Sequence, residues 1–405
     1  MKKTRIDEIG GIRGWVAVIV FIFHALLLAH DHPLHKSFDG PFMVLLFFAL
    51  SGDALSVSFT RRMNPAVSPT VPLKRVLRVS GVAVVSLLLT YVAISNSFLK
   101  SSEAGIIAKI KNLEILIPSN LPDLSLRLDV FYTGLIKMYQ AEPRLNPFLW
   151  TMRAEFSGSV VVFAIGSVYP RLRFRPVILG LAMWFYYYYH RHMTLFIFGI
   201  FLGFCRTEGI FAFCHRSIPL RLLFGFLVVL LPFMHTYSDL PPGPGRDNPP
   251  VSVIGAACCY LFCLYASKEA VLFFSTRLSY FLGEISFPFY ALSGLLICTF
   301  HSELIIHLAS RGSDVRSTEW TVLCTAATFM VLIFLSSVLR FIEIGYLRVL
   351  DKVFDCFVDP AGKHLESQAA TIHLPPYQAI PELDEVVDAE LGIAVETSQD
   401  DMHID

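Results

Sequence analysis

Charged side chains are scarce in this chain of 405 residues, where they make up 16% of the sequence, against about 25% in an ordinary soluble domain. Basic and acidic residues balance at 33 each, so no basic surface indicates binding to a nucleic acid. The chain is instead 54% hydrophobic, which is typical of an integral membrane protein. We therefore predict an all-α integral membrane protein whose main surroundings are the lipid bilayer.

Recognisable metal and cofactor motifs are also missing. The eight cysteines form no CxxC pair and lie mostly in apolar runs, so they predict neither a disulfide framework nor a metal site. No Walker loop, HExxH, GxSxG or dinucleotide fingerprint appears where its structural context would be met. We expect no metal and no tightly bound cofactor.

Long apolar segments dominate the sequence. A transmembrane helix needs about 20 mostly apolar residues, and the pattern predicts about ten such helices. They fall at roughly 9–29, 41–59, 79–98, 148–169, 176–189, 193–205, 220–235, 251–267, 279–300 and 320–340.

The distribution of Lys and Arg predicts the orientation of these helices. Basic residues concentrate in the segments that are cytosolic if the N-terminus is cytosolic, and the short loops on the other side carry few. We expect both termini in the cytosol, with the protein in the plasma membrane or an endomembrane. Beyond Lys363 the chain lacks Lys and Arg and is acidic. We therefore predict a transmembrane domain over 1–355 and a disordered cytosolic tail over 356–405.

Two ionisable residues, Arg13 and His24, lie inside the first apolar segment. Their spacing equals roughly three helical turns, which places both side chains on one face of a helix and about 16 Å apart along it. Ionisable groups inside a membrane span are costly and indicate function. The pair predicts a polar track that enters the bilayer from the Arg13 end.

Glu155 is predicted to share the depth of His24. The first helix runs toward the outer face and carries His24 in its outer half, whereas the helix of Glu155 begins at the outer face and reaches Glu155 after about one or two turns. A carboxylate beside the imidazole would orient it and raise its basicity. The alternative is that His24 is only a hydrogen-bonded histidine between helices. His301 and His307 fall on a predicted outside loop with no recognisable neighbours.

Basic residues cluster around the predicted loop after the second helix. They serve as a topology signal, and they are also a candidate clamp for the phosphates of a nucleotide-bearing donor. Asp53 is the predicted partner of Arg153, in a pair that we interpret as structural. The cluster consists of Arg61, Arg62, Lys74, Arg75 and Arg78.

Five stretches, in order over about residues 5–345, resemble the acyltransferase 3 family of multi-pass membrane O-acyltransferases. The first contains the Arg-x10-His spacing of the family, and the third its Trp-Thr-x-x-x-Glu-Phe pattern. The stretches are RIDEIGGIRGWVAVIVFIFHA (5–25), LLFFALSGDALS (45–56), LWTMRAEFSGS (149–159), FIFGIFLGF (196–204) and YFLGEISFPFYALSG (280–294).

The resemblance implies transfer of an acyl group, predicted to be acetyl, from acyl-CoA to a hydroxyl of a glycan, a lipid-linked sugar or a small-molecule natural product. It implies that His24 is the catalytic base, with Glu155 as a supporting acid or orienting group. Arg13 would bind the donor together with Arg61, Arg62, Arg75 and Arg78. Residues expected to shape the site are Ser51, Asp53, Trp150, Arg153 and Tyr290.

Three positions depart from the family pattern. Asp53 replaces an aromatic or apolar residue, Arg153 replaces an uncharged one, and Ser293 stands where many members have histidine. These departures concern the local electrostatics and the choice of acceptor. The competing hypothesis is a multi-pass transporter or exporter whose buried charged residues line a pathway.

Overall fold

The computed structural model of the chain describes residues 7–29, 38–62, 70–114, 146–234 and 251–370. Every regular element within these ranges is helical, which confirms the predicted all-α class. The α-helices are α1 Asp7–His24, α2 Gly40–Arg62, α3 Thr70–Ser95, α4 Ser101–Ala108, α5 Lys111–Glu114, α6 Thr151–Val168, α7 Arg175–Tyr189, α8 Arg191–Thr207, α9 Ile210–Arg216, α10 Ile218–Met234, α11 Val251–Ala266, α12 Lys268–Phe274, α13 Arg277–Leu296, α14 Ser302–Ser310 and α15 Thr318–Ala370.

Four short helical elements of other types connect these helices. The π-helical segments directly continue α1 and α13, so each lies at the end of a long helix. The 3₁₀ turns lie on either side of α6. The π-helices are Ala25–Ala29 and Ile297–His301, and the 3₁₀ turns are Pro147–Trp150 and Tyr169–Arg171.

Six helical stretches in the described residues are long and apolar enough to cross a membrane, and there are eight if each of two bent pairs is one span. The chain is therefore a multi-pass integral membrane protein. The predicted ten spans are not confirmed, because several apolar segments are broken: α8 and α9 meet at 60°, and α11 and α12 at 87°. The predicted fifth span corresponds to α7, which has 15 residues, fewer than a crossing needs. The cytosolic position of both termini stays a prediction.

The chain divides into a unit from Met1 to Asp351 and a second unit from Lys352 to Asp405. The helices discussed below belong to the first unit, and α15 belongs to it as far as Asp351. In the second unit the chain is helical as far as Ala370, so the tail predicted over 356–405 begins with helical residues. Residues 371–405 lie outside the described part of the chain.

Glycines let the helices of the first unit approach closely, as is usual in membrane bundles. A Cβ on Gly199 of α8 would lie 2.2 Å from the carbonyl oxygen of Ala49 on α2, and one on Gly52 would lie 2.1 Å from the carbonyl oxygen of Phe196. A Cβ on Gly283 of α13 would lie 2.3 Å from the carbonyl oxygen of Gly10 on α1. The backbone of α2 is therefore in direct contact with that of α8, and the backbone of α1 with that of α13.

We predict that Gly199→Ala lowers the thermal midpoint of the purified protein, because the added methyl meets backbone that cannot rotate away. The expected loss is about 1–3 kcal/mol, as for other overpacked cores. Gly180→Ala on α7 is the matched control, since nothing lies within 4 Å of its Cβ position. The packing argument fails if both variants unfold at the same temperature as the parent.

Candidate active site

A cavity of about 570 Å³ lies between α1, α2, α3, α6, α13 and α15. Its lining extends from Ile9 and Lys74, near the starts of α1 and α3, to Val20, Thr151 and Tyr290. Much of the wall is apolar. Charged side chains are included in this lining, namely Arg13, Lys74, Arg75, Arg78, Glu155, Glu284 and Glu343.

One face of α1 lines this cavity. Arg13, Ala17 and Val20 all contribute to the wall, and His24 continues the same helical face one turn beyond Val20. The guanidinium of Arg13 also lies over the ring of Phe47, with 4.8 Å between Cζ and the ring centroid. His24 itself is not part of the lining, so the described cavity ends about one turn short of the imidazole.

Glu155 is buried and holds two side chains from other helices. Its Oε1 accepts a hydrogen bond from the Ser51 hydroxyl at 2.7 Å, and its Oε2 accepts one from Arg75 at 2.9 Å. Arg75 also donates from Nε to Ser159 at 3.0 Å. Pairing of this kind is what allows a carboxylate to exist inside a membrane span. Glu155 thus joins α2, α3 and α6, whereas the sequence had placed it beside His24.

A second charged network lies at the α15 side of the cavity. Arg78 donates to Glu343 at 2.8 Å. Arg340 pairs with Glu343 at 3.0 Å and with Glu284 at 2.7 Å. These four residues connect α3, α13 and α15, so Arg78 enters the site already paired with a carboxylate. Glu284 and Glu343 were missed by the sequence analysis, although an acidic residue inside an apolar segment is a usable signal.

The neighbours of His24 are aromatic. Its imidazole centroid lies 4.6 Å from that of Phe148 and 5.4 Å from that of Phe23, with edge-on geometry at both. Its Nδ1 is buried and has no partner at full hydrogen-bond geometry in the described residues, although the ring interacts with the Val20 backbone one turn earlier on α1. The orientation of this ring therefore depends largely on packing.

The predicted partner of Asp53 was wrong. Asp53 is fully buried and accepts two hydrogen bonds from Arg206, at 2.9 and 2.8 Å. The guanidinium of Arg206 also lies 5.0 Å from the ring centroid of Tyr265. Arg153 is exposed on α6. The pairing could not be read from the sequence, because Asp53 and Arg206 meet only through the close packing of α2 on α8.

Two further predicted residues lie at the inner limit of the cavity. Tyr290 donates its hydroxyl proton to the carbonyl oxygen of Phe148 and accepts a hydrogen bond from Thr151 at 3.2 Å. The ring centroid of Trp150 lies 6.5 Å from that of His192, and Trp150 is half-buried. Tyr290 is thus part of the wall, and Trp150 belongs to the turn beside it.

The predictions for Arg61, Arg62 and His301 concern residues that are not part of the lining described above. Arg61 and Arg62 are the last residues of α2, and their side chains lie outside the described part of the structure. His301 was predicted on an outside loop, which is wrong. It is fully buried at the end of the second π-helix, and its Nδ1 lies 2.8 Å from the Thr328 hydroxyl.

Comparison with known protein families gives one match that covers most of the chain. A family model described as an acyltransferase domain matches residues 6–339. That range includes Arg13, His24, Glu155 and the helices that line the cavity up to residue 339. No curated protein and no solved structure matches the chain.

We predict that Asp53→Asn destabilises the protein by about 3 kcal/mol, because it leaves the mostly buried Arg206 charge with the more distant Glu8 carboxylate, at 3.9 Å, in place of its main partner. Replacing the whole pair, as in Asp53→Leu with Arg206→Met, is expected to cost much less. Thermal unfolding in detergent measures both effects.

The matched control for this pair is Glu269→Gln, which removes a largely exposed ion pair with Arg221. Exposed pairs contribute about 0–1 kcal/mol, so this change should be nearly silent. Equal losses of stability in Asp53→Asn and Glu269→Gln would show that the buried pair stabilises the protein no more than the exposed pair does.

Proposed function

The chain belongs to the acyltransferase family whose domain model it matches, and on this premise we propose that it transfers an acyl group from acyl-CoA to a hydroxyl. The protein is a membrane acyltransferase by family and by its apolar helices. The donor, with acetyl as the expected group, and the acceptor belong to the proposal. The acceptor classes are a glycan, a lipid-linked sugar or a small-molecule natural product.

The observation that carries the proposal is that one face of α1 lines the cavity and leads to His24. Arg13, Ala17 and Val20 line the wall, and His24 comes next on the same face. An extended donor with its phosphates near Arg13 and Lys74 would direct its thioester toward His24. The helix rise between Arg13 and His24 is about 16 Å, a distance that suits an extended pantetheine arm.

In the proposed reaction, His24 accepts the proton of the acceptor hydroxyl while the oxygen attacks the thioester carbonyl carbon. The carbon–sulfur bond then breaks, and the sulfur leaves as CoA thiolate, which takes the proton from the imidazolium. The products are the ester and free CoA. A positioned base of this kind needs hydrogen-bond reach to the hydroxyl it deprotonates.

Glu155 supports this scheme by holding the wall of the cavity in place. It links Ser51 and Arg75 through its two carboxylate oxygens. Arg75 and Arg78 are each paired with a carboxylate, and Arg13 and Lys74 line the same cavity, so we propose that these four cations together contact the donor phosphates. Arg61 and Arg62 stay predicted donor contacts.

We predict that His24→Ala lowers acyl transfer from labelled acetyl-CoA by about 10²- to 10⁴-fold, the usual contribution of a general base. The assay uses purified protein in nanodiscs with a panel of hydroxyl acceptors. His307→Ala is the matched control, because His307 is exposed and lies away from the cavity. Transfer that survives His24→Ala would contradict the proposed role, and solute flux without any donor would favour the transporter hypothesis.

We also predict that Arg13→Gln and Lys74→Gln each weaken the binding of CoA about tenfold, since each removes a charge-assisted contact with phosphate. Calorimetric titration of CoA into detergent-solubilised protein measures the affinity. Arg153→Gln is the control, because this exposed arginine does not line the cavity. Unchanged CoA affinity in both cavity variants would place the donor elsewhere.

A further inference from the structure

The 3₁₀ turn Pro147–Trp150 is tied to two long helices by one buried asparagine. Asn146 accepts a hydrogen bond from the backbone N–H of Phe148 at 3.1 Å, which caps the turn. Its amide also donates to the Ser86 hydroxyl on α3 at 2.9 Å and to the Ala291 carbonyl on α13 at 3.1 Å. The turn is therefore held in one place between α3 and α13.

Phe148 occupies a notch that a glycine leaves in α13. A Cβ on Gly294 would lie 2.0 Å from Cδ2 of Phe148 and 2.4 Å from Cε2, so no other residue type fits there with the ring in this position. One turn earlier on α13, the Tyr290 hydroxyl donates to the Phe148 carbonyl. Side chain and backbone of Phe148 are thus both fixed by α13.

The edge-on contact of Phe148 with His24 is the closest of the ring contacts described for the imidazole. This contact joins Phe148, which α3 and α13 hold in place, to His24, the ionisable residue at the end of α1. Aromatic pairs favour this edge-on arrangement, which restricts rotation of both rings. Phe23, the other ring neighbour described, is adjacent to His24 on α1 and packs against Gly40 of α2, where a Cβ would lie 2.3 Å from its Cδ1. Its centroid is farther from the imidazole than that of Phe148.

The backbone changes its helical geometry directly after His24. The regular turns of α1 end at His24, and the π-helix Ala25–Ala29 follows at once. A π-helical turn is a rare geometry that is often found at functional sites. Glu155, which could have oriented the imidazole, is bonded to Ser51 and Arg75 instead. Among the described ring contacts, Phe148 is therefore the group from outside α1 that lies against the imidazole.

We propose that Phe148, seated against Gly294 and held by Asn146, is the positioning residue that directs the His24 imidazole toward the acceptor hydroxyl. This inference rests on the proposed acyl transfer. Phe148 acts through His24 and does not itself react. Misplacement of a catalytic group by about 1 Å is enough to cost about a hundredfold in rate, so loss of this contact should appear in kcat.

The experiment observes His24 directly and measures turnover in parallel. Protein labelled with ¹³C at histidine Cε1 is studied by NMR in detergent micelles, with His24→Gln assigning the resonance. Phe148→Leu removes the ring, and Gly294→Ala displaces it without altering Phe148. Phe148→Tyr retains the ring as the conservative variant. The matched control is Phe289→Leu, a buried ring on α13 that packs on Phe21 instead.

We expect the His24 resonance to shift in Phe148→Leu and Gly294→Ala but not in Phe148→Tyr or Phe289→Leu. In Phe148→Leu and in Gly294→Ala, kcat should fall about a hundredfold, while the KM for acetyl-CoA stays unchanged. The double variant that combines Phe148→Leu with Gly294→Ala should be no slower than Phe148→Leu alone, because both changes act on one contact.

An unchanged His24 resonance in Phe148→Leu would overturn the inference, and so would a shifted resonance with unaltered kcat. Equal losses in kcat and in acetyl-CoA binding would indicate general damage to the fold and would also count against it. A parent protein that never turns over acetyl-CoA would contradict the proposed function, while the NMR comparison would still decide the contact between Phe148 and His24.

Discussion

Pairing of charges inside the apolar bundle is the constraint on which this structure depends. An unpaired charge within a membrane span is costly, and leaving one partner of a buried pair alone is strongly destabilising. Asp53 therefore meets Arg206, and Glu155 meets Arg75. Each pair joins two helices, so satisfying the charges also specifies which helices must be neighbours. The same pairing engages Arg75 and Arg78 in the wall of the cavity.

Close glycine packing makes these pairs possible. Gly52 and Gly199 bring the backbones of α2 and α8 into contact, and the Asp53–Arg206 pair crosses this same interface. On α13, Gly294 leaves room for the ring of Phe148, which contacts His24. Small residues thus serve both the packing of the bundle and the surroundings of the site, because an absent side chain is the only means of bringing other groups so close.

The two ends of the α1 face have different chemistry. Near Arg13 the cavity is rich in charge, with cations partly balanced by carboxylates. Near His24 the neighbours are aromatic rings. The proposed donor, with phosphates at one end and an uncharged arm, would match this gradient.

The sequence alone determined the all-helical membrane class, the common face of Arg13 and His24, and the family. These depend on composition and on helical periodicity, which are local. Only the tertiary structure decided that Asp53 pairs with Arg206, that Glu155 binds Ser51 and Arg75, and that Phe148 packs on His24. Such contacts join residues far apart in the chain, and the periodicity of each helix says which face is apolar but not which helix that face will meet. The same limit explains why the sequence predicted about ten spans where six to eight are found in the described residues, because a bend between two short helices leaves little trace in hydropathy.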